Sequence, residues 1–242
     1  LGHILKERNG TLNMPNLAGL GLGEALKHSS GLPSPWPKPR HGGWAVAREI
    51  SKGKDTPSGH WELAGVPVPW DWHYFQNETP AFPTKIIQSV AEFVGGSLAN
   101  CHASGIEVID VFADQHLKTG FPICYTSVDS VFQIAAHEDT FGLQRLYDLC
   151  SKMAPMLHEM KVGRVIARPF VGNAEQGFQR TLNRKDFSID PPSPTLCDWV
   201  TDAGRSVFGI GKIGDIFSMR GITSVSYTHL RAHETLMNLV CR

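Results

Sequence analysis

Apolar positions recur at helical spacing in three stretches of the chain. Ile86, Ile87, Val90, Phe93 and Val94 fall at i, i+1, i+4, i+7 and i+8, one face of a helix that starts near Pro83 and stops at Gly95-Gly96. Ile106 to Leu117 reads as a second helix, closed by Gly120. Phe141 to His158 reads as a third, with Leu143, Leu146, Leu149 and Cys150 on one side. Between them the short apolar runs Pro122 to Tyr125 and Val165 to Ala167 predict buried strands. Upstream, Leu1 to Arg8 and Asn16 to His28 predict helices, the second following Pro15, and Gly31 to Gly43 predicts an irregular loop. Trp44 to Ile50 is a short apolar stretch. Downstream, Thr195 to Thr201 (helix) and Ser206 to Ile210 (strand) continue an α/β rhythm.

Proline breaks this pattern twice. Val66 to Trp72 carries Pro at alternate positions, which bars a central strand and suggests a linker. Asp190 to Pro194 is a second such segment. The two bracket about 120 residues, an arrangement expected of one domain inserted into another.

Composition narrows the class. The 242 residues carry 23 Lys+Arg against 23 Asp+Glu, with 41% hydrophobic and 19% charged residues. That is enough apolar material for a core and argues against disorder or a coiled coil. Zero net charge disfavours a general nucleic-acid or membrane-surface binder. No apolar run approaches the roughly 20 residues of a membrane span. Five widely spaced cysteines, with no C-x-x-C, read as reduced thiols of a cytosolic protein.

The charge is unevenly spread. Lys161, Arg164, Arg168, Arg180, Arg184 and Lys185 face one acidic residue, Glu175, over 25 positions. Such a surplus forms either an anion site, for which guanidinium groups suit phosphate oxygens, or a solvated surface. Arg168 directly follows an apolar run and is expected at a strand end. In Asp55-Thr56-Pro57, Thr56 is expected as an N-cap with Pro57 first in the helix. There Thr56 either caps a helix or holds a hydroxyl where backbone N–H groups favour a phosphoryl group. His60, one turn on, is either a phosphate or acid–base group or a helix-surface histidine. Gly209 to Gly214 fits G-x-G-x-x-G, but no second strand with a ribose-binding acid follows, so it reads better as a turn presenting Lys212 than as the nucleotide loop of a nicotinamide-dependent oxidoreductase. His229 and His233 have the i, i+4 spacing of metal ligands without a third ligand nearby.

The stretch Gly53-Lys54-Asp55-Thr56-Pro57-Ser58-Gly59-His60-Trp61-Glu62 closely resembles the phosphothreonine motif of phosphopentomutases, in the alkaline-phosphatase superfamily. The likeness continues in the family's order through Tyr125 to Ile134, Gly163 to Phe170, Gln179 to Asp186 and Gly211 to Ile213, covering about residues 1–224. It implies an isomerase of (deoxy)ribose 1-phosphate and 5-phosphate, acting through phosphorylated Thr56 and a bisphosphorylated sugar, with two divalent ions, typically manganese. By motif position it implies substrate contacts at Ser127, Val131, Arg168, Arg184 and Lys212, with Arg184 preferred over Arg180. The implied fold is α/β, an incomplete alkaline-phosphatase-like core (1–71 and 191–224) with an inserted α/β cap (72–190). The expected partner is a small sugar phosphate, with neither nucleic acid nor membrane. The family's D-S-x-G strand and its Asp-His metal segment are expected outside this chain, so the metal ligands are too, and the chain alone is expected to be inactive. Two alternatives stay open: a non-catalytic sugar-phosphate-binding fragment, and more remotely an NAD-dependent oxidoreductase. Residues 225–242 resemble translated sequencing-adapter sequence and are expected to be foreign, which leaves His229 and His233 without a role.

Overall fold

The computed structural model describes residues 1–39, 42–53 and 55–226. Two compact units emerge, divided between Glu49 and Ile50. The first holds three short helices, α1 (Gly2–Glu7), α2 (Pro15–Leu20) and α3 (Leu22–Ser30). The single helix expected over 16–28 is therefore two. Gly21 breaks it by adopting φ 108°, a left-handed conformation that serves as the C-cap of α2 and the N-cap of α3.

The second unit opens with α4 (Thr56–Leu63) and α5 (Thr84–Val94), then runs β1 (Leu98–His102), α6 (Glu107–Thr119), β2 (Ile123–Thr126) and β3 (Val131–His137). A π-turn at Glu138–Gly142 leads into α7 (Leu143–Glu159), followed by β4 (Arg164–Asn173), β5 (Gly177–Arg180) and β6 (Lys185–Ser188). It closes with α8 (Leu196–Asp202), β7 (Phe208–Ile210), α9 (Ile213–Ile216) and β8 (Ser224–Ser226). The α/β expectation holds at this level. Six strands form one mixed sheet in the order β1-β2-β3-β4-β5, with β6 also on β4, while β7 and β8 pair in parallel. The link from β1 to β2 carries α6, and that from β3 to β4 carries α7, as parallel pairs require. Glycines at φ 94° (Gly95) and φ 71° (Gly120) end α5 and α6 where the sequence marked them.

Side-chain alternation builds two layers on the sheet. On one face Phe132, Ile134, Val165 and Ala167 meet α5 through Ile86 and Val90 and α7 through Leu146, Leu149 and Met153. On the other, Ile123, Tyr125, Ala135 and Phe170 meet Val108, Ile109 and Ala113 of α6. A separate cluster joins Trp61 of α4 with Val66, Val68, Trp72, Ile189, Ile216 and Phe217. The segment 66–72 thus makes no strand, as its prolines predict, and it buries the alternate side chains Val66, Val68 and Trp72. Trp61 and Trp72 each donate an indole N–H inside this cluster, to the Ile216 carbonyl at 2.9 Å and Ser58 Oγ at 2.7 Å.

Three local expectations need correction. Asp55, with extended backbone, occupies the N-cap of α4, and Thr56 is the first helical residue. The strand expected at 165–167 runs from Arg164 to Asn173, so Arg168 lies mid-strand and not at an end. Strands β1, β3, β5 and β6 had no counterpart among the expected elements.

Candidate anion-binding site

The site grows from a change of partner along β4. Its first residues, Arg164 to Ala167, pair antiparallel with β6, and its last, Phe170 to Asn173, pair antiparallel with β5. Arg168 and Pro169 lie at the fork between. Proline has no N–H to offer a neighbouring strand, so this is where the ladder can change partner. The Pro169 carbonyl still accepts from Thr181 N at 3.0 Å, which brings in the loop joining β5 to β6. That loop starts after Arg180 and contains Arg184, so three arginines arise around one fork.

The loop is clasped from outside. Glu138 Oε1 accepts hydrogen bonds from Thr181 Oγ1 and from Asn183 Nδ2, the latter at 3.0 Å. Tyr147 donates its hydroxyl to the Asn183 carbonyl at 2.6 Å. Arg184 then grips Asp186 with two N–H groups, at 2.6 and 2.7 Å.

Asp186 begins a buried ionic chain. It meets Arg164 at 3.4 Å, and Arg164 meets Asp55 at 3.1 Å and Asp129 at 3.5 Å. Burial alone would push the Asp186 carboxyl up, but Arg184 and Arg164 hold it below the ordinary aspartate value. For Asp55 burial wins over Arg164, and its pKa is raised. Asp55 also accepts the Ser130 N–H at 3.1 Å, which locks the start of α4 to the start of β3. Thr56, exposed at that helix start, is thereby tied through its neighbour to the arginine fork.

On the α6 face of the sheet, three polar residues lie beside one another on adjacent strands. Gln133 pairs across the ladder with Tyr125, takes the Arg168 Nε–H at 3.1 Å, and donates to Ser127 Oγ at 3.3 Å. Ser127 and Arg168 therefore belong to one network. Lys212, at the start of the short helix α9, completes the positive cluster and makes no ion pair among the described residues. Desolvation lowers its pKa, and the like charges of Arg184, Arg168 and Arg164 lower it further, against the pull of Asp186. Arg168 is lowered in the same way, first by burial and then by its cationic neighbours; an anion relieves both, and planar guanidinium groups suit phosphate oxygens.

Of the residues read from sequence, Ser127, Arg168, Arg184 and Lys212 come together here. Val131 does not, because its side chain is 1% exposed at the buried start of β3, opposite Arg164. Arg180 stands exposed at the end of β5. His60 bonds back through Nδ1 to the Thr56 carbonyl at 2.8 Å, a contact within its own helix. His229 and His233 lie outside the described residues. Asp55, Asp186, Gln133 and Tyr125 were not among the sequence candidates. For Tyr125 and Gln133 the signal was polarity inside otherwise apolar strand runs (I-C-Y-T and V-F-Q-I-A-A), for Asp55 the N-cap preference of aspartate, and Asp186 had no such local signal. Among the described residues no three His, Cys, Asp or Glu side chains converge as metal ligands, and no helix is long and apolar enough to cross a membrane.

No family model matches the chain. Curated proteins do, and their class is that of isomerases that move a phosphoryl group within a sugar phosphate. The chain is a homologue of phosphopentomutases over about nine-tenths of its length. It is 50% identical to that of Sinorhizobium medicae over 224 residues, which is 90% of this chain and 55% of that protein. It is 49% identical to that of Aeromonas hydrophila, covering 92% of this chain and 58% of that protein. With that of Rhizobium leguminosarum bv. trifolii it is 52% identical over 96% of this chain and 58% of that protein. The last match is long enough to enter residues 225–242, and Val225 and Ser226 themselves pair with β7. The chain spans a little over half the length of these relatives.

Proposed function

We propose that the chain is the sugar-phosphate-binding portion of a phosphopentomutase, interconverting (deoxy)ribose 1-phosphate and 5-phosphate. The observation that carries this reading is the convergence of Arg168, Arg184 and Lys212 at the β4 fork. Residues 72–190 act as the cap, and 1–71 with 191–224 as the core portion bearing Thr56. The protein works in the cytoplasm, in keeping with the free thiols of Cys101, Cys124, Cys150 and Cys197.

In this reading Thr56 Oγ carries a phosphoryl group at the N-terminus of α4, where unpaired N–H groups favour its negative charge. A free hydroxyl of the sugar monophosphate attacks that phosphorus. A new P–O bond forms as the Thr56 Oγ–P bond breaks, and the sugar becomes a bisphosphate. The other phosphoryl group then returns to Thr56. Arg168, Arg184 and Lys212 hold the phosphate that is not transferring, and Ser127, held by Gln133, meets the sugar. The described residues do not compose the two-manganese centre that the family resemblance implies. We therefore expect the chain to bind pentose phosphates without turning them over.

Calorimetry with ribose 5-phosphate tests the binding half on the wild type and Arg168→Ala, since equal heats would eliminate the site. Incubation with manganese, a sugar bisphosphate primer and ribose 1-phosphate tests the other half, and robust conversion to the 5-phosphate would overturn the expected inactivity. The alternative of a binding module that serves no mutase predicts the same heats. It parts from the first reading when the chain is joined to the remainder of a relative's sequence and still gives no conversion.

A further inference from the structure

The Tyr125 hydroxyl is a buried polar group near the fork to which the reading above gives no role. The residue is 0% exposed on a central strand, and its hydroxyl has no hydrogen-bond partner among the described residues. A buried hydroxyl in that state costs stability, and the cost is recovered when an acceptor arrives. Gln133 pairs with it across the ladder, and Arg168, Arg180 and Arg184 all lie near enough to act on its ionisation. Burial keeps its pKa above the ordinary tyrosine value despite them, so the group is a protonated donor at neutral pH. What covers it is small and movable. A Cβ on Gly105 would lie 2.8 Å from the hydroxyl oxygen and 3.4 Å from Nη1 of Arg180. Arg180 also lines an open cavity of about 540 Å³ with Ile106 and Asp110, which gives its exposed side chain room to swing away.

We propose that Tyr125 is a further substrate-binding residue, donating its hydroxyl to an oxygen of the phosphate held by Arg168 and Arg184. The contact opens when Arg180 turns off the hydroxyl, and Gly105 is the residue without a side chain that leaves the space. The inference rests on the sugar-phosphate reading above and deepens it. A phenol adds to that site a neutral, directional donor. It suits an oxygen whose charge the arginines already balance, without adding to their mutual repulsion.

The test is calorimetric titration of this chain with ribose 5-phosphate and, separately, with inorganic phosphate, in parallel with thermal unfolding. Tyr125→Phe should weaken both ligands about tenfold and leave the unfolding midpoint unchanged or higher, because the variant removes an unpaired buried group. Gly105→Ala should weaken both as well, by filling the space beside the hydroxyl. Arg168→Ala reports on the site itself. If the wild type binds and Arg168→Ala does not, while Tyr125→Phe binds as the wild type does, this inference fails and the function reading stands. Weakening of ribose 5-phosphate alone would assign the hydroxyl to the sugar and overturn the phosphate contact. A lower unfolding midpoint with unchanged affinity would show a purely structural hydroxyl. No binding by the wild type would overturn both readings together.

Discussion

Two sets of charges lie within a few residues of each other and are treated in opposite ways. In one, Asp55, Arg164, Asp186 and Arg184 form a chain of contacts between 2.6 and 3.4 Å with side chains mostly out of water. In the other, Arg168 and Lys212 make no ion pair among the described residues, and the Tyr125 hydroxyl near Arg168 has no hydrogen-bond partner among them. The first set is paired within itself, shares Arg184 at its outer end with the phosphate site, and ties α4 to the sheet. The second is left positive. Burying an unpaired charge is costly and burying a paired one is tolerable, so a protein that holds both side by side uses one as frame and keeps the other for a ligand.

The sharpest way to break this contrast is to take Arg164 from the frame. Arg164→Met strands the buried Asp55 carboxylate and leaves Asp186 with Arg184 alone, and chemical denaturation should show a loss of about 3–5 kcal/mol. A loss under about 1 kcal/mol would mean that the frame is not one. Arg168→Ala should do the reverse, with ribose 5-phosphate affinity falling tenfold or more and stability changing by about 1 kcal/mol, the worth of its bond to Gln133. Acid should separate the two sets further. The folded pKa of Asp186 lies below its ordinary 3.8, so its contribution is complete above that value and is lost as pH falls through the lower one. Asp55, with a raised pKa, acts in the opposite sense, its contribution present at low pH and lost as pH rises. Unfolding midpoints below about pH 4 should therefore fall more steeply for the wild type than for Asp186→Asn, and parallel slopes would count against the ion chain. The smallest effect belongs to Lys212→Met. Removing an exposed cation from among arginines should leave stability within about 0.5 kcal/mol, while binding weakens.

The same contrast explains what could be read from the chain beforehand. Helices α5, α6 and α7 were legible because each repeats its apolar face over three or more turns and ends on a glycine or a histidine-bearing turn. Strand β3 was not, because V-F-Q-I-A-A-H is buried on both faces and shows no alternation. Strands β5 and β6 escaped for the opposite reason, being four residues each and mostly polar, with β5 largely exposed. Of the site, Arg168, Arg184 and Lys212 were visible through resemblance and local charge. The partners that decide which arginine is free lie far off in sequence. Nothing local says that Arg164 belongs to Asp55, 109 positions before it, or that Arg168 sits at a fork made by two strands that follow it. Val131 shows the converse, since a motif position can sit in the fabric of the sheet without presenting its side chain.

Ser130 carries a consequence for anchorage. Its hydroxyl donates to the His73 carbonyl at 2.6 Å and accepts the Gly163 N–H at 2.9 Å, while the Gly163 carbonyl accepts from Ile189 at 3.0 Å. His73 and Ile189 are where the chain enters and leaves the stretch between its two proline-rich segments. Both crossing points are therefore pinned to neighbouring atoms on one side of the sheet. Entry and exit are thus both anchored to the starts of β3 and β4, and Asp55, bonded to the Ser130 N–H and to Arg164, carries the same anchorage across to the start of α4. One serine therefore serves three strands of the chain at once, with its hydroxyl on His73 and Gly163 and its N–H on Asp55.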